Sequence, residues 1–82
     1  MRAPLLGEVL CRSQPARYYL LVDELEGEKE LYGVGVTYRG ETARFPGLTL
    51  SQRAVQELLS AMMGGCVTPA SASAVVDDWL LR

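Results

Sequence analysis

The sequence predicts an α+β fold in which an antiparallel meander of three or four strands is followed by two helices packed on one face. Apolar residues alternate with a period of two through the first half of the chain. From Ser51 onward they recur with the i, i+3, i+4, i+7 spacing of a helix. The length of 82 residues, with 49% apolar and 22% charged residues, suits a single domain spanning 1–82.

Two central strands are predicted at residues 17–25 and 30–38, and a weaker alternation predicts a further strand at 8–12. In the central pair, every second side chain is aliphatic or aromatic, so one face of the sheet is apolar throughout. We call it the helix face, because we expect the two helices to cover it. It comprises Tyr18, Leu20, Val22, Tyr32, Val34, Val36 and Tyr38.

The loop between the two central strands decides which residues pair. Residues 26–28 (Glu-Gly-Glu) have the composition of a three-residue hairpin loop. That length sets Leu20 opposite Val36 and keeps the branched side chains together on the helix face. It likewise sets Val22 opposite Val34.

A second hairpin is predicted at residues 38–42, where Gly40 suits the first central position of a type II′ turn. The pairing that follows sets Tyr38 opposite Ala43 and extends the helix face into a third strand at 42–46. The Pro-Gly dipeptide at the end of this segment is expected to terminate the strand.

Two helices are predicted at residues 51–63 and 69–81. The first can be capped by Thr49 or Ser51 and is stopped by a Gly-Gly pair. The second begins with Thr68 as its N-cap, followed by a proline, which is favoured in the first turn of a helix. Each helix therefore has one apolar stripe to place against the helix face.

The opposite face of the two central strands is also apolar, although an antiparallel sheet normally presents polar side chains on its uncovered side. Two explanations stay open. The surface can be a docking site for a second copy of the chain or for another partner. Alternatively, Tyr19 folds over the glycines while Leu5 and Leu6 of the N-terminal segment cover the rest. We call this surface the open face, and its candidate interaction residues are Tyr19, Leu21, Leu25, Leu31, Gly33 and Gly35.

Residues that carry catalysis or bind cofactors are scarce. The chain has no His, which removes the commonest general base and the commonest metal ligand. The acidic segment 23–30 lacks the spacing of an EF-hand and predicts a solvated hairpin tip. Gly33 and Gly35 lie inside a strand, which is the wrong place for a dinucleotide-binding motif. We therefore expect no catalytic, metal-binding or cofactor-binding residues, and a protein that is not an enzyme.

Two cysteines, Cys11 and Cys66, can in principle pair, but the N-terminus lacks the apolar core of roughly 7–15 residues that a signal peptide needs. The longest uninterrupted apolar run, Tyr18–Val22, is five residues, which is too short to cross a membrane. We therefore expect a cytoplasmic protein without membrane contact, whose cysteines are packed thiols.

A nucleic-acid partner is the alternative. A strand followed by two helices has the order of a ribbon-helix-helix regulator, in which Thr42 and Arg44 would be the outward strand residues. Two observations weigh against it: the net charge is -2, and the meander uses the same strand within the chain.

Several motifs occur in a fixed order along the chain: Tyr18–Glu24, Tyr32–Val36, a helix opened by Ser51, Val67–Pro69 and Val75–Leu80. The set resembles a small family of uncharacterised bacterial proteins, a domain of unknown function found mainly in clostridial Gram-positive bacteria. The resemblance covers about residues 17–81. Its motifs are structural, so it implies a bacterial, cytoplasmic protein and transfers no catalytic residue.

Small size gives a reason to expect a partner. A chain of this length buries only about 60–65% of the surface that its unfolded form exposes, which leaves a thin margin of stability. The sequence therefore predicts a small non-catalytic interaction or regulatory module. It would act as a homodimer or with another protein, through the open face.

Overall fold

The predicted α+β class is confirmed by the computed structural model, which describes residues 2–81. Four antiparallel strands form one sheet in the order of the chain, and two helices follow. The elements are β1 (Leu5–Cys11), β2 (Gln14–Glu24), β3 (Glu30–Tyr38), β4 (Glu41–Thr49), α1 (Gln52–Gly64) and α2 (Pro69–Leu80).

The hairpin between β2 and β3 has a different register from the predicted one. Leu20 pairs with Val34 and Val22 with Tyr32, two positions away from the expected partners. The loop is the predicted one at residues 26–28, closed where the N–H of Leu25 donates to the carbonyl oxygen of Lys29 (2.7 Å) around a short 3-10 turn. With Leu25 opposite Lys29, this loop places Leu20 opposite Val34, so the loop was predicted correctly and its pairing partners were not. A shift of two residues preserves the face on which each side chain lies, so the helix face keeps its predicted composition.

The hairpin between β3 and β4 also differs from the prediction. Arg39 and Gly40 occupy its two central positions, with φ of 52° and 81°. Positive φ at both positions is the signature of a type I′ turn, not of the predicted type II′ turn. Tyr38 consequently pairs with Glu41, and Ala43 lies opposite Val36.

Strand β4 does not end at its Pro-Gly dipeptide, which corrects the prediction. It continues to Thr49, which pairs with Tyr32 after a shift in register. The continuation is possible because β4 is an edge strand, where the missing N–H of Pro46 removes no ladder hydrogen bond, and because Gly47 takes a φ of 69°. We call residues 45–48, where the register shifts, the β4 bulge.

Both helices pack on the helix face, as predicted. The core of the protein lies between them and the sheet, where α1 contributes Val55, Leu58, Leu59 and Met62, and α2 contributes Ala72 and Val76. Ser51 is the N-cap of α1, because its hydroxyl accepts from the N–H of Ala54 (3.1 Å). Thr68 is the N-cap of α2, and its N–H donates to the Ser71 hydroxyl (3.2 Å).

Tyr18 connects the layers of the fold. Its side chain is 0% exposed, and its hydroxyl donates to the carbonyl oxygen of Val67 in the connection between α1 and α2 (2.8 Å). Burial raises the pKa of the Tyr18 phenol above its ordinary value, because the charged phenolate would lose its hydration. The buried hydroxyl thus fixes the helix connection against β2 and stays protonated.

The two cysteines are joined, so the prediction of packed thiols is wrong. Cys11, at the end of β1, and Cys66, after α1, form a disulfide with Cα atoms 5.8 Å apart. They lie 55 residues apart in the sequence, and no periodicity or spacing in the chain indicates that they meet. The disulfide ties the turn between β1 and β2 to the connection between the helices.

We expect reduction of the disulfide to lower the free energy of unfolding by about 4 kcal/mol, because a closed loop of this length restricts the unfolded chain. Urea denaturation with and without a phosphine reductant measures the effect. The double variant Cys11→Ala/Cys66→Ala is the control and should not respond to the reductant. An unchanged denaturation midpoint in the wild type would contradict a native disulfide.

We expect stability to fall in alkali through Tyr18. Because the pKa of Tyr18 is raised in the folded state, its contribution to the free energy of unfolding is complete below the ordinary pKa of 10.0. That contribution is lost as the pH rises through the pKa of the folded state. Thermal unfolding across the range of about pH 8–11 tests this. We expect Tyr18→Phe to lower the free energy of unfolding by about 1 kcal/mol at neutral pH. The stability of this variant should also decline less steeply as the pH rises into the alkaline range. Tyr19→Phe, on the open face, is the control, and an alkaline slope unaffected by Tyr18→Phe would exclude this origin.

Candidate functional site

The open face is the side of the sheet away from the helices. Tyr19 and Leu21 of β2 pair with Gly35 and Gly33 of β3, so these four predicted residues lie together. Leu31 joins them at the next pair, opposite Asp23. Leu25 does not belong to this group, because it lies beyond the end of β2 in the loop, where it is 43% exposed.

Gly33 is covered by another part of the chain. A Cβ atom at this position would lie 2.2 Å from the carbonyl oxygen of Phe45 and 2.6 Å from Cα of Pro46. The β4 bulge therefore crosses directly over Gly33 on the open face. Only glycine permits this approach, and the approach leaves Pro46 exposed at the surface.

The surface around Gly35 is a shallow concavity. A Cβ atom on Gly35 would meet Cδ2 of Leu21 at 3.6 Å and Cβ of Tyr19 at 3.7 Å, which are ordinary contacts. Leu21 is only 3% exposed, whereas Tyr19 is half-buried. The concavity has a volume of about 290 Å³ and is lined by Ala3, Tyr19, Leu21, Gly35, Val36, Thr37, Thr42 and Arg44.

The N-terminal segment reaches this face at its rim, where Ala3 lines the concavity. The N–H of Arg2 donates to the carbonyl oxygen of Val22 (2.9 Å). The N–H of Leu20 donates to the carbonyl oxygen of Pro4 (3.0 Å). The segment thus extends the sheet at the edge of β2. Leu5 and Leu6 are 52% and 40% exposed, so they cover little.

Charges stand at opposite ends of the open face. Arg44 of β4 lies opposite Gly35, while Asp23 of β2 lies opposite Leu31. Neither forms an ion pair with any other side chain within residues 2–81. An apolar strip therefore separates one free cation from one free anion.

Several other charged groups of the sheet are paired. Arg17 lies 3.2 Å from the Glu8 carboxylate across β1 and β2. Arg2 pairs with Glu30, and its Nε lies 3.8 Å from Oε1 of Glu24. These exposed pairs contribute little stability, but they reduce the net charge at their positions.

Tyr32 lies beside the acidic hairpin tip and donates its hydroxyl to Glu30 (3.0 Å). Burial, then this hydrogen bond and the negative charge of Glu30, raise the pKa of the Tyr32 phenol, and the charge of Arg2 opposes them. The tyrosine therefore stays protonated and helps to hold one carboxylate of the tip.

The part of the chain that the structure describes contains no group of three or more His, Cys, Asp or Glu side chains placed to hold a metal ion. Neither α1 nor α2 is long and apolar enough to cross a membrane, and no other helix in residues 2–81 meets that condition. The concavity is the candidate site that the predicted residues Tyr19, Leu21 and Gly35 form together.

Comparison with known families gives one result. The model of a family of unknown function, DUF6514, matches residues 8–82. The chain belongs to DUF6514. The sequence-based resemblance to a domain of unknown function is thereby confirmed, while the bacterial origin that it implies stays a prediction. Searches of curated proteins and of solved structures found no match.

The DUF6514 match contains nearly all of the open face. It begins at Glu8 within β1 and includes β2, β3, β4 and both helices. Arg44 and Asp23 lie inside it, whereas Ala3 at the rim of the concavity lies outside. The match assigns no activity, so the function has to be argued from the surface itself.

The structure also places residues that the sequence analysis missed. Arg12 and Arg39 lie beside the disulfide at the turns of the two outer hairpins. Both have positive φ, 52° in each case, which a non-glycine residue rarely adopts. No sequence pattern signals this grouping, because it depends on the disulfide and on which hairpins share one end of the sheet.

Thr42 and Arg44, the residues of the ribbon-helix-helix alternative, lie on the open face at positions opposite Thr37 and Gly35. Strand β4 pairs with β3 on one side and is the edge of the sheet on the other. DNA binding through these residues stays a prediction.

We expect Gly33→Ala to destabilise the fold by about 1–3 kcal/mol, because the added Cβ overlaps backbone atoms of the β4 bulge and cannot be relieved by a rotamer change. Gly64→Ala is the matched control, since nothing lies within 4 Å of its Cβ. We expect this helical position to gain about 0.5–1 kcal/mol. Chemical denaturation measures both, and equal effects would contradict the close approach at Gly33.

Proposed function

We propose that this member of DUF6514 is a small, non-catalytic interaction module that docks a second copy of itself on the open face. The observation that carries the proposal is the pair of unmatched charges, Asp23 and Arg44, at opposite ends of an apolar surface. A cytoplasmic location belongs to the same proposal.

The apolar part of the open face favours contact with another protein surface. Tyr19 and Leu31 are half-buried there, and Pro46 of the β4 bulge is exposed. Both helices pack on the helix face, so neither covers the opposite side, where the β4 bulge covers Gly33 and leaves the surface around Tyr19 and Leu31 accessible. Burying this surface against a partner would remove apolar area from water, which stabilises the complex.

Charge placement favours a second copy as the partner. Asp23 and Arg44 lie two strands apart, and their pairing positions on β3, Leu31 and Gly35, are four residues apart. A twofold axis that runs parallel to the sheet between two facing copies, perpendicular to the line joining the two charges and above its midpoint, brings Asp23 of each copy onto Arg44 of the other. Such an isologous contact satisfies both free charges twice.

The size of the face predicts a weak dimer. Four strands about 4.8 Å apart and about seven residues long span roughly 19 by 23 Å. This is about 440 Å², below the ~800 Å² per partner that standard stable interfaces bury. We therefore expect association at about micromolar to millimolar concentration, as in transient complexes.

Reversing the charges tests the proposal. We expect Arg44→Glu or Asp23→Arg alone to weaken self-association by about tenfold, because each places like charges in contact twice per dimer. The double variant Asp23→Arg/Arg44→Glu should restore the wild-type dissociation constant. Sedimentation equilibrium measures all three.

Arg53→Glu is the control for net charge, because Arg53 lies on α1 and is 91% exposed, away from the open face. It should leave the dissociation constant unchanged. A wild type that stays monomeric up to about 1 mM would overturn docking of a second copy. A double variant as weak as either single variant would overturn the proposed pairing.

A further inference from the structure

A cleft beside the disulfide carries a second, independent inference. Its volume is about 520 Å³, within the ~300–1,000 Å³ range of small-molecule pockets. The disulfide forms one wall of the cleft, and Arg12 and Arg39 line it as well. Gly65 and Thr68 of the helix connection line the remainder.

The topology explains why these groups meet. In an antiparallel meander the first and third turns lie at the same end of the sheet, so the turns that hold Arg12 and Arg39 are neighbours. The disulfide brings Cys66 and the helix connection to this end. The hydroxyl of Tyr38 donates to the carbonyl oxygen of Cys11 (2.9 Å) and fixes the backbone there.

The cleft is cationic. Arg12 and Arg39 are exposed, and neither forms an ion pair with a carboxylate in residues 2–81. No acidic residue lines this cleft, and Glu41 lines a different concavity. Two arginines without carboxylate partners therefore line the space beside the disulfide, and cationic side chains in this position attract anions and lower the pKa of a thiol that enters.

The two cysteines differ in burial. Cys11 is 4% exposed and belongs to the core, whereas Cys66 is only partly buried. We therefore expect a thiolate that enters the cleft to attack Sγ of Cys66, with Sγ of Cys11 as the leaving group.

We propose that the Cys11–Cys66 disulfide is an exchange site for a small anionic thiol such as glutathione. The ligand thiolate bonds to Sγ of Cys66 as the bond between the two cysteines breaks. The electron pair leaves on Sγ of Cys11, which takes a proton from water.

A second ligand thiolate then attacks the ligand sulfur of this mixed disulfide. The ligand disulfide and the Cys66 thiolate are released, and the thiolate takes a proton from water. The two ligand thiols are oxidised to one disulfide, and the protein disulfide is reduced to two thiols by two electrons.

The test compares two thiol reagents on the full chain, glutathione and the cationic thiol cysteamine, with rates normalised to the thiolate fraction of each. We expect glutathione to react about tenfold faster at low salt and the preference to shrink as salt rises. The double variant Arg12→Gln/Arg39→Gln should abolish the preference. Arg53→Gln, whose guanidinium lies on α1, should retain it.

Acid quenching during the reaction, followed by peptide mapping, shows which cysteine carries the adduct. We expect glutathione on Cys66. Equal rates for the two thiols in the wild type, a preference that survives in the double variant, or an adduct mainly on Cys11 would each overturn the proposal. Self-association plays no part in this test, so its result is independent of the proposed dimer.

Discussion

Neighbouring residues of a strand point to opposite faces of the sheet, and in β2 and β3 both sets are apolar. This alternation governs the rest of the structure. The helix face takes the branched and aromatic side chains and both helices, and its core runs from Cys11 to Val76. The open face receives what remains, a mixture of leucine, tyrosine and glycine that the β4 bulge covers in part.

Local patterns were sufficient to predict the elements and their faces. The period of two placed Tyr18 and Val34 on the helix face, and the capping residues placed the starts of α1 and α2 at Ser51 and Thr68. These patterns could not determine the register in which the strands pair. A slip of two residues leaves every side chain on its own face, so hydrophobic alternation cannot distinguish Leu20 opposite Val36 from Leu20 opposite Val34.

The remaining differences come from contacts between distant parts of the chain. Pro46 and Gly47 usually end a strand, but the edge position of β4 and the missing side chain of Gly33 allow the strand to continue. The disulfide joins residues 55 positions apart, which no spacing rule detects. The apolar open face was predictable from the sequence. The arginine-lined cleft was not, because it depends on a disulfide between residues that are distant in the sequence.

The edges of the sheet limit how copies of this chain can assemble. On one edge the register of β1 shifts next to Leu5. On the other edge, Pro46 and the β4 bulge interrupt the row of free backbone groups. Edges of this kind resist the addition of further strands, which is how natural sheets avoid fibrils. In the dimer proposed above, contact through the open face is self-limiting, because a twofold-symmetric pair buries the same surface on both copies and leaves none for a third.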